Sequence, residues 1–252
     1  MARSHACFVR TADDMDHSHT QSTGRRELQM ARSMCWHCQS EVTGEYFCDQ
    51  CVKVQPLSME FDYFACLGLP RLLTIDAQAI ETKFYELSRV FHPDFYQQKT
   101  QMEQSISLGN AALLNTAYRT LKDPIQRAEY LLKLEAGSAK DIRNSPPADL
   151  FEQILSLQED LEEFRSNPQD DQVSYERLRD KLKAARESLE RRQKDMESQL
   201  YELFGKWDAL QHRTDGNTLK SEKDAVLKQI RSILSNRTYV TNIVNDLVTT
   251  IG

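Results

Sequence analysis

The sequence predicts an all-α protein: a helical hairpin followed by a C-terminal three-helix bundle, with a small N-terminal tetracysteine zinc-binding knuckle. Three observations favour this fold class. After residue 60, apolar residues recur every three or four positions over most of the chain. Eight Gly and seven Pro in 252 residues are too few for a loop-rich all-β protein. Four of the six cysteines lie close together in residues 35–51.

Charge and hydropathy exclude several classes of protein. Thirty-two Lys and Arg residues against 38 Asp and Glu residues leave a formal net charge of -6, which argues against a nucleic-acid partner and an anionic membrane surface. No stretch approaches the ~18 consecutive apolar residues of a membrane span. Residues 1–30 contain no apolar signal segment, and acidic residues accompany their arginines. We therefore expect the bacterial cytoplasm, with the mitochondrial matrix as the alternative; Met30 and Met34 are alternative starts.

Breaks in the pattern divide the chain. Residues 1–33 are polar and aperiodic and are expected to form a disordered tail, in which His17 and His19 are solvated rather than metal-bound. The cysteine cluster occupies 34–55, and helical patterns fill 56–137. A linker is predicted at 138–147 because consecutive prolines cannot continue a helix. The three-helix bundle occupies 148–252.

The cysteines form two C-x-x-C pairs, Cys35/Cys38 and Cys48/Cys51. Two residues between thiolates let one tight turn direct both sulfurs at a single ion, and two such turns supply a tetrahedral site. All four positions are filled, so we expect structural zinc rather than a catalytic metal, with bound iron as the main alternative. His37, inside the first pair, is expected at the surface. A thioredoxin-like redox pair would need an α/β pattern, which the sequence does not have.

The hairpin surrounds a proline-containing corner. Asp76 or Thr74 can cap a first helix, which must end at Phe91 or His92 because Pro93 disfavours helical geometry in the residue before it. The apolar stripe of this helix is Ile80, Phe84, Leu87 and Phe91. A second helix ends at Asp123-Pro124, with the stripe Ile106, Leu113, Ala117 and Leu121. The tripeptide His92-Pro93-Asp94 (the HPD corner) then projects an imidazole and a carboxylate from a rigid turn.

Three further stripes predict the C-terminal bundle. They begin at Leu150, Tyr175 and Leu219, and breaks at Asn167-Pro168 and Asp215-Gly216-Asn217 separate them. Amphipathic helices joined by short breaks favour an antiparallel bundle over one uninterrupted coiled coil.

Several of these segments together resemble a known family. Asp62-Tyr63-Phe64, Gly68-Leu69-Pro70 and the run LSRVFHPD at 87–94 are similar to J-domains, which identifies 56–137 as a J-domain. The run AYRTLKDPIQRAEYLL at 117–132 narrows the resemblance to HscB-type co-chaperones of iron–sulfur cluster assembly. The tetracysteine cluster resembles that of a zinc-bearing subgroup of this family.

The resemblance implies a non-enzymatic adaptor with two partners. His92, Pro93 and Asp94, with Arg89 and Lys83 on the preceding helix, match the surface that engages a seventy-kilodalton heat-shock chaperone of the HscA or DnaK type and stimulates its ATPase. The C-terminal bundle of the family binds an IscU-type iron–sulfur scaffold. The matching positions here are Leu150, Phe151, Ile154, Leu155 and Tyr239. Of these, Ile154 shares the core stripe of its helix, whereas Phe151 and Leu155 lie off it, so their exposure is informative.

Two other functions are compatible with the residues. A general J-domain protein would use the bundle to bind a different client. An enzyme, either a redox protein or a metal-dependent hydrolase, would use the Cys35–Cys51 site and would need an open metal position or a reactive thiolate.

Overall fold

The computed structural model describes residues 34–42, 46–57, 61–135, 147–166, 172–213 and 216–251. The predicted tail, with His17 and His19, and residues 138–146 of the predicted linker lie outside these ranges. The described ranges form the helices α1 (Tyr63–Cys66), α2 (Ala77–Phe91), α3 (Gln101–Lys122), α4 (Pro124–Glu135), α5 (Phe151–Ser166), α6 (Gln172–Gln211) and α7 (Gly216–Ile251), with short 3-10 helices at Pro93–Tyr96 and Ala148–Leu150. The all-α fold class is confirmed.

The ends of the hairpin helices follow from local chemistry. Asp76 caps α2 by accepting the N–H of Gln78, and α2 ends at Phe91 because His92, before a proline, adopts extended geometry (φ -61°, ψ 125°). Thr100 and Glu103 form a reciprocal capping box at the start of α3. Asp123, also before a proline, ends α3. The predicted helix ends are thus confirmed.

The α2–α3 hairpin packs with α1 and α4 around a first hydrophobic core. The stripe predicted for α2 points inward, with Ile80, Leu87 and Phe91 buried. From α3, Leu114, Ala117 and Leu121 fill the same core. Burial of this face holds the two helices together and leaves the turn between them, which contains the HPD corner, at one end of the hairpin.

The helices α5, α6 and α7, here called the arm, form the predicted bundle. A second core lies along one part of it, with apolar residues of α5 meeting those of α6 and α7; its buried members are Ile154, Leu157, Leu161, Phe164, Leu178, Leu182, Leu189, Met196, Val240, Ile243, Val244 and Leu247. Of the helices in the described ranges, none has the combination of length and apolar content that crossing a membrane requires.

The other part of the arm belongs to the first core. Leu200, Leu203, Phe204 and Trp207 of α6, with Ile230 and Leu234 of α7, are buried together with the hairpin residues. The α6–α7 pair therefore continues past α5 and packs on the hairpin domain. Leu200, Leu203 and Trp207 continue the apolar stripe that begins at Tyr175, which predicts a buried helix face but not the element that this face contacts.

Candidate functional site

The described residues around the two C-x-x-C pairs, 34–42 and 46–55, form the knuckle, which is built from two copies of one turn. In the first copy the N–H of Gln39 bonds to the carbonyl of Cys35 at 3.0 Å, and in the second the N–H of Val52 bonds to that of Cys48 at 2.8 Å. Gln39 and Val52 both have φ of 58°. An isolated antiparallel bridge flanks each turn, Met34 to Glu41 and Phe47 to Val54. The spacing of each pair thus produces equivalent turns that face each other.

The four sulfur atoms form one cluster. The Sγ atoms of Cys35 and Cys51 are 3.6 Å apart, as are those of Cys38 and Cys48, and all four lie within 4.8 Å of one another. A disulfide needs ~2.05 Å between sulfurs, so these thiols are not paired covalently. Four sulfurs at ~2.3 Å from one central ion would be ~3.8 Å apart, which matches the cluster. The predicted metal-binding cluster is confirmed in its geometry; His37 is exposed and is not part of it.

Proton affinities within the cluster also suit a cation. A hydrogen bond from Ser40 lowers the pKa of Cys48 to about 6. Burial raises the pKa of Cys51 to about 12, and its bonds to neighbouring sulfurs add to this effect. Crowded thiols thus resist losing all their protons together, whereas a bound cation allows every one of them to be a thiolate.

The knuckle packs on the hairpin. The Tyr46 ring meets the Phe91 ring edge-on, with centroids 5.4 Å apart. Lys53 Nζ is 3.0 Å from the Glu103 carboxylate of α3. The side-chain amide of Asn110, also on α3, accepts the N–H of Leu57 at 2.8 Å and donates to the carbonyl of Gln55 at 2.9 Å. These contacts place the cysteine cluster beside the same end of the hairpin as the HPD corner.

The HPD corner is exposed but anchored on both sides. Its His92 and Asp94 side chains are 53% and 70% exposed. Before it, Phe91 is buried and its carbonyl accepts the Ser107 hydroxyl at 2.8 Å. After it, Tyr96 is buried and donates its hydroxyl to the carbonyl of Val90 at 3.0 Å. The corner therefore presents polar groups from a backbone whose flanks are held in the core.

Within the corner, local hydrogen bonds orient both functional groups. The N–H of Asp94 donates to His92 Nδ1 at 3.3 Å, which caps the 3-10 turn that begins at Pro93. Gln97 donates its side-chain amide to the Asp94 carboxylate at 3.3 Å. The ring of Phe95, itself exposed, lies 5.9 Å from that of His92. Nε2 of His92 is therefore the ring nitrogen left for a partner.

The other residues assigned by resemblance fall into two sets. On α2, Arg89 and Lys83 are exposed, and Lys83 Nζ lies 2.9 Å from Glu86 one turn on. On the arm, Phe151 and Leu155 are 53% and 51% exposed, while Leu150 and Tyr239 are half-buried. Ile154 is only 2% exposed and packs in the second core. Because a core side chain cannot reach a partner, we assign Ile154 to packing and no longer count it among the candidate scaffold-binding residues.

Sequence reasoning missed the polar residues that connect the knuckle to the hairpin. Lys53, Gln55, Glu103 and Asn110 are ordinary helix and loop residues in the sequence, and their partners are 50 to 55 positions away. One signal was present: a Glu three residues after Thr100 predicts a capping box. That signal identifies the start of α3 and not the contact with Lys53.

Comparisons with known proteins agree with this architecture. Residues 62–130 match the DnaJ domain family. Over 105 residues the chain is 36% identical to the iron-sulfur cluster co-chaperone protein HscB of Mus musculus, a match that spans 40% of this chain and 45% of the mouse protein. The crystal structure of the human co-chaperone protein HscB has a TM-score of 0.59 and 23% identity, covering 86% of this chain and 98% of the human one.

The match with the human structure covers 86% of this chain, concerns the fold, and therefore includes at least part of the arm. The alignment spans 45% of the mouse protein, so the similarity in sequence is established for only part of each chain. The chain therefore contains a DnaJ domain, is similar in sequence to the HscB co-chaperones over part of its length, and has a tetracysteine knuckle packed against that domain.

Proposed function

We propose that this chain is a co-chaperone of iron–sulfur cluster assembly. Its HPD corner would stimulate the ATPase of a seventy-kilodalton heat-shock chaperone of the HscA or DnaK type, and its arm would deliver an IscU-type scaffold to that chaperone. The observation that carries the proposal is the anchored corner, which exposes an imidazole and a carboxylate within a DnaJ domain. ATP is hydrolysed by the partner, so we assign no catalytic residue to this chain.

The geometry suits a docking role. Because Pro93 fixes the backbone and Phe91 and Tyr96 hold its flanks, little conformational entropy is lost when the corner binds. His92 Nε2 and the Asp94 carboxylate can then form hydrogen bonds or ion pairs with a polar surface. Arg89, exposed on the last turn of α2, adds positive charge nearby, while the positive charge of Lys83 is offset by Glu86.

The arm supports scaffold binding through an exposed apolar pair with acidic neighbours. Phe151 and Leu155 are four residues apart and therefore lie on one side of α5, and Glu159 and Glu162 continue that side. We call Phe151, Leu155 and the half-buried Leu150 and Tyr239 the scaffold patch. Contiguous exposed apolar surface is typical of protein interfaces, so this pair supports a docking role for α5. The acidic extension favours a partner with basic side chains.

The four cysteines would hold structural zinc, with iron as the main alternative. Bound zinc supplies the folding energy of the knuckle. Cys35, Cys38, Cys48 and Cys51 complete a tetrahedral set, which leaves no position for a substrate and argues against the redox or hydrolytic enzyme.

Single-turnover ATP hydrolysis by the chaperone tests the proposal. Asp94→Asn and His92→Gln should abolish stimulation while leaving the helical circular dichroism unchanged, because both side chains are exposed. Asp180→Asn, the same chemical change at an exposed position of α6, is the matched control and should stimulate normally. Stimulation by either corner variant at the wild-type rate would refute the role of the corner.

The scaffold separates this proposal from a general J-domain protein. An IscU-type scaffold should bind the chain and raise chaperone ATPase turnover beyond the sum of the separate effects, since one molecule brings client and trigger together. Absence of binding at micromolar concentration would favour a different client. The compartment stays a prediction: the bacterial cytoplasm, with the mitochondrial matrix as the alternative.

A further inference from the structure

The knuckle contacts the hairpin at the residue that precedes the HPD corner. Tyr46 packs edge-on against Phe91, which immediately precedes His92 in the chain. The same Phe91 offers its carbonyl to Ser107. One wall of the pocket that holds Phe91 therefore comes from α3 and another from the knuckle.

A buried ion pair forms the second contact. Glu103 is almost fully buried on α3, and Lys53 of the knuckle is its cationic partner at 3.0 Å. Burial by itself would raise the pKa of Glu103, but hydrogen bonds from Thr100 and Lys53 outweigh burial and lower it. The carboxylate is thus charged at neutral pH, and removal of Lys53 would leave a buried charge short of a partner.

The chain between these contacts is part of the core. Val54 and Leu57 are buried with the hairpin residues, and Asn110 fixes the backbone between them. A rearrangement of this segment would open the first core at its HPD end.

The conformation of this segment depends on the cysteine turns. Cys48 donates its N–H to the carbonyl of Lys53 at 2.9 Å, and Trp36 donates its indole N–H to the carbonyl of Val54 at 2.7 Å. The side-chain amide of Gln55 lies 3.4 Å from Cys35 Sγ. Within the turns themselves, residues 35–39 and 48–52, the fully buried side chains are those of Cys35 and Cys48, so a bound metal is what would order these turns.

We propose that the knuckle is a metal-dependent clamp on the HPD corner, in which Tyr46 and Lys53 act as positioning residues for His92 and Asp94. Loss of the metal releases these contacts, loosens the turn from Phe91 to Tyr96, and weakens docking on the chaperone. The part of the arm around α5 is held by the second core and keeps its structure. This inference deepens the proposed function and rests on it for its consequence, although the coupling itself can be measured without any partner.

Amide hydrogen exchange of the full chain, with zinc and after chelation, tests the clamp. Chelation should speed exchange in residues 90–99 by about tenfold, while exchange of the buried face of α5 in the second core stays within about twofold of its loaded rate. Unchanged exchange in 90–99 would overturn the proposal. Equal acceleration in both segments would also overturn it, because the knuckle would then be a general stabiliser.

Variants of the zinc-loaded chain distinguish the effect of losing the Tyr46 and Lys53 contacts from the effect of losing the metal. Tyr46→Ala and Lys53→Ala should each speed exchange in 90–99 severalfold with zinc content at one per chain, and Tyr46→Phe, which keeps the ring, should restore the loaded rate. Phe47→Ala, next to Tyr46 and facing solvent, is the matched control. Wild-type exchange in both Ala variants would refute the role of these side chains.

Chaperone stimulation is then compared with exchange. Chelation and the two Ala variants should lower ATPase stimulation severalfold but should not weaken scaffold binding. If the loaded wild-type chain gave no stimulation, the proposed function would fail, while the exchange result would still decide whether the clamp exists.

Discussion

The carboxylate of Asp208, near the end of α6, accepts the backbone N–H of Leu73 in a hydrogen bond of 2.7 Å. Its second oxygen accepts the N–H of Thr74 at the same distance. On the other side of this loop, the buried guanidinium of Arg127 donates to the carbonyl of Leu73 at 3.0 Å. The loop that leads into α2 is therefore held between the hairpin domain and the arm. These hydrogen bonds and the shared first core fix the position of the arm relative to the hairpin domain.

We expect Asp208→Asn to weaken this junction. An amide can accept only one of the two N–H bonds and turns a donor toward the other, so the free energy of unfolding should fall by about 1–2 kcal/mol. Urea denaturation followed by circular dichroism measures the change. Asp224→Asn, at an exposed position of α7, serves as the control and should be neutral. A stability equal to that of the control would mean that the carboxylate does not hold the loop.

The metal content of the chain should be one ion bound by four thiolates. Elemental analysis should give one zinc per chain, and the cobalt-substituted protein should show the visible absorption of a tetrahedral thiolate site. Cys48→Ala should lower metal affinity by at least about tenfold. Cys66→Ala, at a buried cysteine outside the cluster, should bind metal normally. Alkylation of any knuckle cysteine in the loaded chain would contradict the closed site.

Exposed and buried residues of α5 should respond differently to substitution. The double variant Phe151→Ser, Leu155→Ser should weaken scaffold binding by at least about tenfold, because the central apolar side chains of an interface carry most of its energy. Its stability should stay within about 0.5 kcal/mol of wild type, since both side chains face solvent. Calorimetric titration with the scaffold provides the measurement, and Val173→Ser, 79% exposed on α6, is the control.

Ile154→Ala, by contrast, should lower the free energy of unfolding by about 2–5 kcal/mol because it leaves a cavity in the second core. At temperatures where this variant stays folded, its scaffold affinity should equal that of wild type. A stable Ile154→Ala chain that had lost scaffold binding would return Ile154 to the scaffold patch.

Alkaline stability should depend on Cys66. Burial, with a smaller contribution from the charge of Asp62, raises the pKa of Cys66 from 9.0 to about 11. Between those values the thiol is protonated in the folded chain and ionised in the unfolded chain, so unfolding releases a proton. The protonated Cys66 thiol therefore makes its full contribution to the free energy of unfolding below about pH 9. That contribution is lost as the pH rises through about 11.

The Cys66→Ala variant should therefore show a shallower fall in unfolding free energy between pH 9 and 11 than wild type. Urea denaturation at several pH values measures both slopes, and the knuckle cysteines contribute equally to the two proteins. Identical slopes would show that Cys66 titrates alike in the folded and unfolded states.

Features that depend on neighbouring residues were predictable. Pro93 and Pro124 ended α2 and α3 where expected, because a proline restricts the residue before it whatever the rest of the fold does. The repeated C-x-x-C spacing produced two equivalent turns, because the turn that a short spacing forms is also decided by neighbouring residues. The stripe on α5 correctly separated buried Ile154 from exposed Phe151 and Leu155, since side-chain direction follows helix periodicity.

What the sequence by itself determined is therefore which residues form helices, which helix faces are apolar, and which cysteines can share an ion. The tertiary structure alone decided which faces meet: Trp207 packs in the hairpin core, Tyr46 lies against Phe91, and Asp208 bonds to Leu73. The reason is physical. Burial of an apolar stripe against any complementary surface is favourable, so the pattern of the stripe does not determine which element it contacts. Single polar contacts between distant residues produce no periodic pattern in the sequence.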